Sequence, residues 1–311
     1  MPFFRNFFLF SLAVFLFWTT ERFCHKKTDG FQIVKILSRL PSYPQWDTPE
    51  PTFQEMADLQ EVFSQPFFFL DSGGQCYAFV SKDGKIVLKL FKMHHLRQYP
   101  VLHKIPFPGI CNQWKTQFLH FQKQKLDKVF SSSHIAYTQL QAETGLLYLN
   151  LNPKPQFENL HVTLIDKIGI EHTLSLKDIP FVLQHKADNA FQILRFHLLH
   201  RDMTAAKEVI RDIVECLTAR YKKGIKDTDP ALRRNIGLLK KGAISIDIGS
   251  FVRPSQPMSP EDSKRELLND TRRMRRWLQK RSLELTSYFD ALIAEAGNET
   301  ASGDSQVFFR A

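Results

Sequence analysis

Residues 67–92, FFFLDSGGQCYAFVSKDGKIVLKLFK, constrain the fold more than any other stretch of this 311-residue chain. Two runs rich in aromatic and β-branched residues flank Lys82-Asp83-Gly84-Lys85, and Asp-Gly between such runs is the strongest short-range signal for a β-hairpin. The first run contains Gly73 and Gly74, where the missing Cβ lets backbone amides approach a phosphate closely. The second contains Lys89, and a lysine facing inward from an apolar strand needs an anion to offset its burial. The stretch therefore predicts a hairpin, and it leaves open whether Lys89 binds a phosphate, pairs with a glutamate or lies on the surface.

The composition favours a folded, basic protein. The formal net charge is +10 and the sequence pI is near 9.4, which favours anionic partners such as nucleotides, nucleic acid or acidic lipid. Hydrophobic residues make up 43% and charged residues 24%, proportions that argue against a disordered chain. The four cysteines are far apart and form no C-x-x-C pair, so the pattern argues against a disulfide framework and a zinc site.

The N-terminal segment 1–27, MPFFRNFFLFSLAVFLFWTTERFCHKK, is strongly apolar. A helix from Pro2 to Thr20 is long enough to span a hydrocarbon core of about 30 Å, so we expect a signal-anchor or a helix at the membrane surface. A cleaved export signal is the alternative, although no A-x-A-like cleavage site precedes the charged run. Basic residues after the apolar run outnumber Arg5 before it, so the positive-inside rule places the folded domain in the cytoplasm; they are Arg22, Lys26 and Lys27.

The triplet His200-Arg201-Asp202 spells the H-R-D of a kinase catalytic loop, but its context predicts a helix cap. Apolar residues at a 3.6-residue period follow Asp202, and aspartate is a preferred N-cap residue. A catalytic loop needs an asparagine five residues after its aspartate to hold magnesium, and this chain has Lys207 there. We therefore interpret the triplet as the start of a helix.

A second group of polar residues lies within residues 221–251. Asp227 and Asp229 fall in a predicted loop, Asn235 follows, and Asp247 comes after the predicted hairpin LLKKGAISI. Mg²⁺ prefers hard oxygen ligands, and an aspartate can orient a substrate hydroxyl and accept its proton. The same residue types are frequent in turns, so this segment alone leaves both a magnesium site and a plain hairpin open.

The order of these motifs along the chain resembles the protein-kinase-like superfamily. A glycine-containing hairpin and a V-x-K strand are followed by a helix with Glu143, two strands, a helix, D…N and D-x-G. The resemblance is closer to the compact bacterial and atypical branches than to a eukaryotic protein kinase. Those branches include aminoglycoside phosphotransferases, lipopolysaccharide-core kinases and the atypical kinases of coenzyme Q biosynthesis.

The resemblance implies ATP and Mg²⁺ as cofactors and a role for each matching residue. Gly73 and Gly74 would cover the phosphates, and Lys89 would bind the α- and β-phosphates with Glu143 as its helix partner. Gln184 would lie near the adenine hinge. Asp229 would be the catalytic base, and Asn235 and Asp247 would bind magnesium. Asp227 has its own claim to be the base, because Pro230 then falls where a protein-kinase loop often has a proline. The glycine turn reads S-G-G-Q-C-Y-A, and Asn235 follows Asp229 by six residues rather than five. A catalytically inactive pseudokinase acting as a binding or regulatory scaffold is therefore the alternative to an active phosphotransferase.

The resemblance also predicts the fold class and the division of the chain. We expect an α+β, bilobal, protein-kinase-like fold with a small β-rich N-lobe and a truncated helical C-lobe, preceded by a hydrophobic helix. The C-lobe is truncated because few residues remain after Asp247. The expected divisions are the signal-anchor or signal segment 1–27, a juxtamembrane helix and proline-rich linker 28–52, the N-lobe 53–185, the C-lobe 186–297 and a disordered tail 298–311.

A predicted helix near the C-terminus carries a dense band of basic residues. It offers a surface for an anionic membrane or a lipid headgroup, with nucleic acid as a less favoured partner and a solvated helix face as the simplest interpretation. A third function therefore stays open, that of a basic adaptor for anionic surfaces, while the acceptor substrate and the oligomeric state stay undetermined. The band consists of Arg272, Arg273, Arg275 and Arg276, followed by Lys280 and Arg281.

Overall fold

The apolar run at the N-terminus forms a single helix in the computed structural model, which describes residues 2–99, 102, 105–106 and 108–302. Within this helix, Phe4–Thr28 has a mean hydropathy of 1.4 and buries none of its apolar window against the rest of the chain. The last turn carries His25, Lys26 and Lys27, where positive charge is favourable because it faces the negative end of the helix dipole. The helix is long and apolar enough to cross a membrane, and a signal sequence has the same properties.

Among the described residues, groups of strands are separated by helices. The helices are α1 Pro2–Thr28, α2 Phe53–Phe63, α3 Gly109–Gln139, α4 Gln141–Thr144, α5 Ala190–Leu199, α6 Met203–Lys222, α7 Leu232–Asn235, α8 Pro260–Gln279 and α9 Leu283–Ser302. The strands are β1 Phe67–Ser72, β2 Cys76–Ser81, β3 Ile86–Phe91, β4 Leu146–Asn150, β5 His161–Ile165, β6 Glu171–Ser175, β7 Phe181–His185, β8 Asp188–Asn189, β9 Lys226–Asp227, β10 Ile236–Leu239, β11 Gly242–Ser245 and β12 Phe251–Val252. The chain divides into a first unit, residues 1–123 and 150–183, and a second unit, residues 124–149 and 184–311.

Between α1 and α2 the chain forms only short 3-10 turns, at Ile33–Lys35 and Pro44–Trp46, in place of the juxtamembrane helix predicted there. The reason lies in contacts made far along the chain. The backbone N–H of Tyr43 donates to the side-chain oxygen of Asn152 at 3.0 Å, and the Asn152 amide donates back to the Tyr43 carbonyl at 3.0 Å. Ile36 is fully buried, so the segment is fixed by tertiary contacts rather than by helical hydrogen bonds.

The first unit is built on six neighbouring sheet strands, in the order β7-β3-β2-β1-β5-β6. The predicted hairpin is confirmed, because β2 and β3 pair antiparallel around a turn in which Gly84 has a φ of +72°. Such a φ favours glycine over any residue with a Cβ. β1 adds to β2 in an antiparallel pair that is interrupted by a bulge between Phe69 and Asp71, and it pairs with β5 in parallel. Large aromatic side chains fill this unit, and the fully buried ones are Phe67, Tyr77, Phe79, Phe91, Phe157 and Phe181.

The second unit is a helical core around α6. Helix α6 places its apolar stripe against α9 and α5, as its 3.6-residue period predicts. The predicted cap at Asp202 is confirmed, because its side chain accepts a hydrogen bond from Ala205 N at 3.0 Å. At the start of α8, Ser259 forms a capping box with Asp262. The serines at 131–133 have the composition of a helix cap, but α3 continues through these residues to Gln139.

The protein is therefore α+β, with a sheet-based first unit, a helical second unit and an apolar N-terminal helix, as predicted. Residues 124–149 belong to the second unit, although the sequence prediction placed residues 53–185 in one N-lobe. At the C-terminus, α9 extends to Ser302, and the rest of the predicted tail, 303–311, lies outside the described residues.

Candidate catalytic loop and magnesium site

Two strand pairings in the second unit bring the candidate loop and the candidate magnesium ligands together. β9 pairs antiparallel with β12, so that Asp227 lies opposite Phe251. β10 and β11 form the predicted hairpin, in which Ile236 lies opposite Ser245. Asp247 lies on the connection between these two pairs, since it follows β11 and precedes β12.

Asp227 is buried and bound on several sides. Its Oδ1 accepts a hydrogen bond from Ser250 Oγ at 2.6 Å and another from the backbone N–H of Asp229 at 2.9 Å. Its Oδ2 lies 3.6 Å from a guanidinium nitrogen of Arg220. These contacts make Asp227 a support of the loop that carries Asp229.

Asp229 has a different environment, because its side chain is exposed. The Asp229 carbonyl accepts a hydrogen bond from Asn235 Nδ2 at 3.2 Å, which closes the loop across α7. Throughout residues 108–302 no hydrogen bond or ion pair engages the Asp229 carboxylate. The carboxylate is therefore accessible to a substrate hydroxyl.

A backbone hydrogen bond holds the segments that carry Asn235 and Asp247 next to each other. Ile246 N donates to the Asn235 carbonyl at 2.8 Å, and Gly249 N donates to Asp247 Oδ1 at 3.0 Å. Within the described part of the chain, Asn235 Oδ1 and Asp247 Oδ2 accept no hydrogen bond. Two hard oxygen atoms are thus free, and their chemistry fits Mg²⁺, which completes its shell with water and phosphate oxygens. No cluster of three His, Cys, Asp or Glu side chains suitable for a metal occurs among the described residues.

Arg220 was not predicted, and it ties the candidate loop to helix α8. It is 2% exposed, and its Nη2 donates to Asp270 Oδ2 at 2.9 Å. The Tyr221 hydroxyl donates to the same oxygen. Burial lowers the pKa of Arg220, but Tyr221, Asp227 and Asp270 outweigh burial and raise that pKa above its ordinary value. The sequence carried one signal, since Arg220 falls on the apolar stripe of α6, one turn after Leu217.

Glu143 and Gln184 make contacts inside the second unit that the sequence did not predict. Glu143 lies in the short helix α4 rather than in the preceding long helix, and its Oε1 lies 2.5 Å from Lys223 Nζ. Its Oε2 is buried and has no hydrogen-bond partner among the described residues. Gln184 is 1% exposed, and its Nε2 donates to the carbonyls of Thr144 at 2.6 Å and Ser245 at 3.1 Å. The Gln184 side chain therefore ties α4 to β11.

In the first unit, the glycine pair forms the turn between β1 and β2. Gly73 N donates to the Cys76 carbonyl at 3.0 Å, and no atom lies within 4 Å of the position that a Cβ on Gly74 would take. Lys89 is half-buried on β3, opposite Ala78. Lys92, which was not predicted, closes the turn by donating to the Gly73 carbonyl at 2.5 Å.

The basic band on α8 is exposed and partly paired. Arg275 forms a two-bond contact with Asp290, at 2.8 and 2.7 Å. Arg272, Arg273 and Arg276 are exposed, and none of them forms an ion pair within the described ranges. These three arginines therefore lie on the surface without a carboxylate partner among the described residues.

Comparison with known proteins gives only distant structural similarity. No protein-family model matches the chain, and no curated protein matches it. Matching chains of solved structures include one of WbdD, at 14% identity, 74% coverage of this chain, 46% coverage of WbdD and a TM-score of 0.34. A second structure, of the bifunctional kinase-methyltransferase WbdD, matches at 14% identity, with coverages of 72% and 43% and a TM-score of 0.32. The chain spans less than half the length of the WbdD chains that it matches.

Proposed function

We propose that the protein is an ATP- and Mg²⁺-dependent phosphotransferase of the atypical kinase-like type, associated with a membrane through α1. The observation that carries the proposal is the cluster of Asp229, Asn235 and Asp247 in the second unit. The Asn235 side chain is bound to the backbone of Asp229, and its carbonyl is bound to the residue before Asp247. One accessible carboxylate and two oxygen atoms suited to Mg²⁺ are thus carried by loops that are hydrogen-bonded to each other.

In the proposed reaction the γ-phosphoryl group passes from ATP to a hydroxyl of the acceptor. The acceptor O–P bond forms, the bond between the γ-phosphorus and the ADP oxygen breaks, and the hydroxyl proton goes to Asp229. Asp229 is a better base than Asp227, because Asp227 is buried and already accepts two hydrogen bonds. Bound Mg²⁺ would offset the charge on the phosphate oxygens. Asn235 and Asp247 would hold it.

The first unit supports the proposal through Lys89 and the glycine turn. Lys89 is a half-buried cation on a strand, in keeping with a phosphate contact. The turn at Gly73 and Gly74 is exposed, and the space around Gly74 means that the folded turn itself does not require glycine there. A glycine that the fold does not require is consistent with close approach of a phosphate. In the second unit, the side-chain amide nitrogen of Gln184 already donates to two protein carbonyls. Gln184 would therefore contribute to nucleotide binding through its main chain.

Thermal unfolding of the full-length chain in detergent micelles, with and without MgATP, tests nucleotide binding. Nucleotide at a hundred times its Kd stabilises a protein by about 2.7 kcal/mol, and we expect this stabilisation to require Mg²⁺. Asp247→Asn should lose the Mg²⁺-dependent part. Glu295→Gln is the matched control, because it removes one negative charge from an exposed site of the same unit. An equal loss in both variants, or no shift at millimolar MgATP, would refute the nucleotide site.

ATP turnover then separates the phosphotransferase from a pseudokinase. Asp229→Asn should keep the MgATP-induced stabilisation and lose turnover by about 100-fold or more, the range typical for removing a general base. A wild-type chain that binds MgATP without any turnover would leave a nucleotide-binding scaffold. A chain that binds no nucleotide, and that binds anionic vesicles through Arg272, Arg273 and Arg276, would instead be the basic adaptor.

A further inference from the structure

A cavity in the second unit is lined by four arginines and is separate from the loop atoms assigned to metal and base. This arginine pocket has a volume of about 330 Å³. Its main lining residues are Arg195, Arg233, Arg234, Arg281, Trp277 and Asn189. No aspartate or glutamate lines it.

The four guanidinium groups are exposed and have no counter-ion. Among the described residues no carboxylate lies within 4.0 Å of any of them, whereas Arg275 and Arg220 of the same unit are paired with aspartates. Four like charges around one cavity repel each other, so an anion placed there gains Coulomb energy from all of them. Arginine forks bind phosphate oxygens through two parallel hydrogen bonds, which makes a phosphate group the best match.

The pocket walls are fixed by specific contacts rather than by loose surface side chains. Asn189 Nδ2 donates to the Arg233 carbonyl at 2.9 Å, and Asn189 Oδ1 accepts from Gln192 N at 3.0 Å. The first contact anchors α7, and the second caps α5, whose positive N-terminal end lies at the pocket. Elsewhere in the lining, the Arg281 guanidinium lies 4.2 Å from the Trp277 ring centroid and donates to the Trp277 carbonyl at 2.9 Å.

We propose that the arginine pocket binds a phosphate monoester on the acceptor of the phosphoryl transfer, an inference that rests on the proposed function. Arg233 and Arg234 lie in α7, the same four-residue helix that ends in Asn235, and they follow Asp229 closely in sequence. A ligand phosphate held by them lies beside the loop that carries the base. A phosphate monoester carries about two negative charges near neutral pH and a phosphodiester only one, so the pocket favours an acceptor that is already phosphorylated. The acceptor is either a soluble phosphorylated molecule or a lipid with a monoester headgroup.

Calorimetric titration of the full-length chain in dodecyl maltoside micelles, without nucleotide, tests the pocket. The soluble probe is glucose 6-phosphate with glucose as its control, and the lipid probe is short-chain phosphatidic acid with short-chain phosphatidylcholine as its control. We expect one or both phosphorylated probes to bind and neither control to bind. Preference for glucose 6-phosphate indicates a soluble acceptor, and preference for phosphatidic acid indicates a lipid.

Two pairs of substitutions locate the binding. Arg233→Gln with Arg234→Gln should raise the Kd of the bound probe about 100-fold, a factor of ten for each lost charged hydrogen bond. Arg195→Gln with Arg281→Gln should act in the same direction from other walls of the pocket. The matched control is Lys240→Gln with Lys241→Gln, which removes two exposed cations of the same unit outside the pocket and should leave the Kd unchanged.

Three results would overturn the proposal: no binding of either phosphorylated probe, equal weakening by the control pair, or displacement of the probe by ATP without Mg²⁺. The last result would make the pocket a nucleotide-phosphate site. Failure of the proposed function is distinguishable from failure of the pocket. A chain that binds glucose 6-phosphate or phosphatidic acid through Arg233 but never binds MgATP keeps the pocket and loses the phosphotransferase.

Discussion

Replacement of Arg220 by methionine should be among the most damaging single changes in the second unit. Arg220 is 2% exposed and faces two buried carboxylates, Asp270 at 2.9 Å and Asp227 at 3.6 Å. Removing the cation leaves both carboxylates in the interior, and breaking a buried pair in this way costs about 3–5 kcal/mol. That cost is a large share of a typical folding stability of about 5–15 kcal/mol.

A second substitution separates the lost charge pairing from lost packing. Asp270→Asn in the Arg220→Met background removes one uncompensated charge, so the double variant should be more stable than Arg220→Met alone. The coupling energy between two residues in direct contact is about 0.5–3 kcal/mol, and we expect the upper half of that range here. The coupling energy between Arg220 and Asp270 also depends on Tyr221, whose hydroxyl keeps one hydrogen bond to position 270.

Urea unfolding at pH 7 measures these differences through the transition midpoint, with the m-value as a check that the unfolded state is unchanged. Repeating the measurement at lower pH adds a sign test. Burial raises the pKa of Asp270, so acid should protonate Asp270 in Arg220→Met and reduce the cost of the substitution. A cost below about 1 kcal/mol at pH 7, the scale of an exposed pair, or a cost that grows on acidification, would refute the assignment of Arg220 as a buried counter-ion.

Three further predictions test local features of the fold. Burial lowers the pKa of His94 from 6.5 to about 4, so the folded state disfavours the protonated ring and stability should fall as pH drops from 6.5 towards 4. If Tm depends on pH in the same way in the wild type and in His94→Gln, this prediction is wrong. Asp202→Ala should cost about 1 kcal/mol in urea unfolding because it removes an N-cap, whereas Asp202→Asn should keep most of the stability; equal losses would argue against the cap. Gly237→Ala should lower the folding stability by about 1–3 kcal/mol, because the new Cβ would lie 2.6 Å from the Cβ of Ala187. Gly74→Ala is the control, since its Cβ would meet no atom within 4 Å, and similar losses of stability at both sites would contradict the packing argument.

Features that depend on neighbours three or four residues apart were predictable from the sequence. The turn at Gly84, the helix start at Asp202 and the capping boxes at Thr52 and Ser259 follow from short-range geometry. The Asn235–Asp247 hairpin belongs to the same class, because a β-hairpin register is set by the turn that joins its strands. The roles assigned to Lys89, Gln184, Asp229, Asn235 and Asp247 remain predictions.

Local patterns failed where a distant contact competed with them. The serines at 131–133 have the composition of a helix start, but Ser132 Oγ donates to the Ile248 carbonyl at 2.5 Å and accepts from Phe251 N at 2.6 Å. Those partners lie 116 and 119 residues away along the chain, and they hold the serine inside a continuing helix. The missing juxtamembrane helix has the same explanation, since Tyr43 is bound by Asn152.

The sequence by itself thus determined which segments form hairpins, caps and apolar helices, because those choices are decided within one turn or one strand pair. Only the tertiary structure decided which charges are buried and which converge. Arg220 meets a carboxylate 50 residues later in the chain, and the arginine pocket draws its side chains from α5, α7 and the end of α8. No short-range pattern encodes either arrangement, because each depends on how helices and loops pack in space.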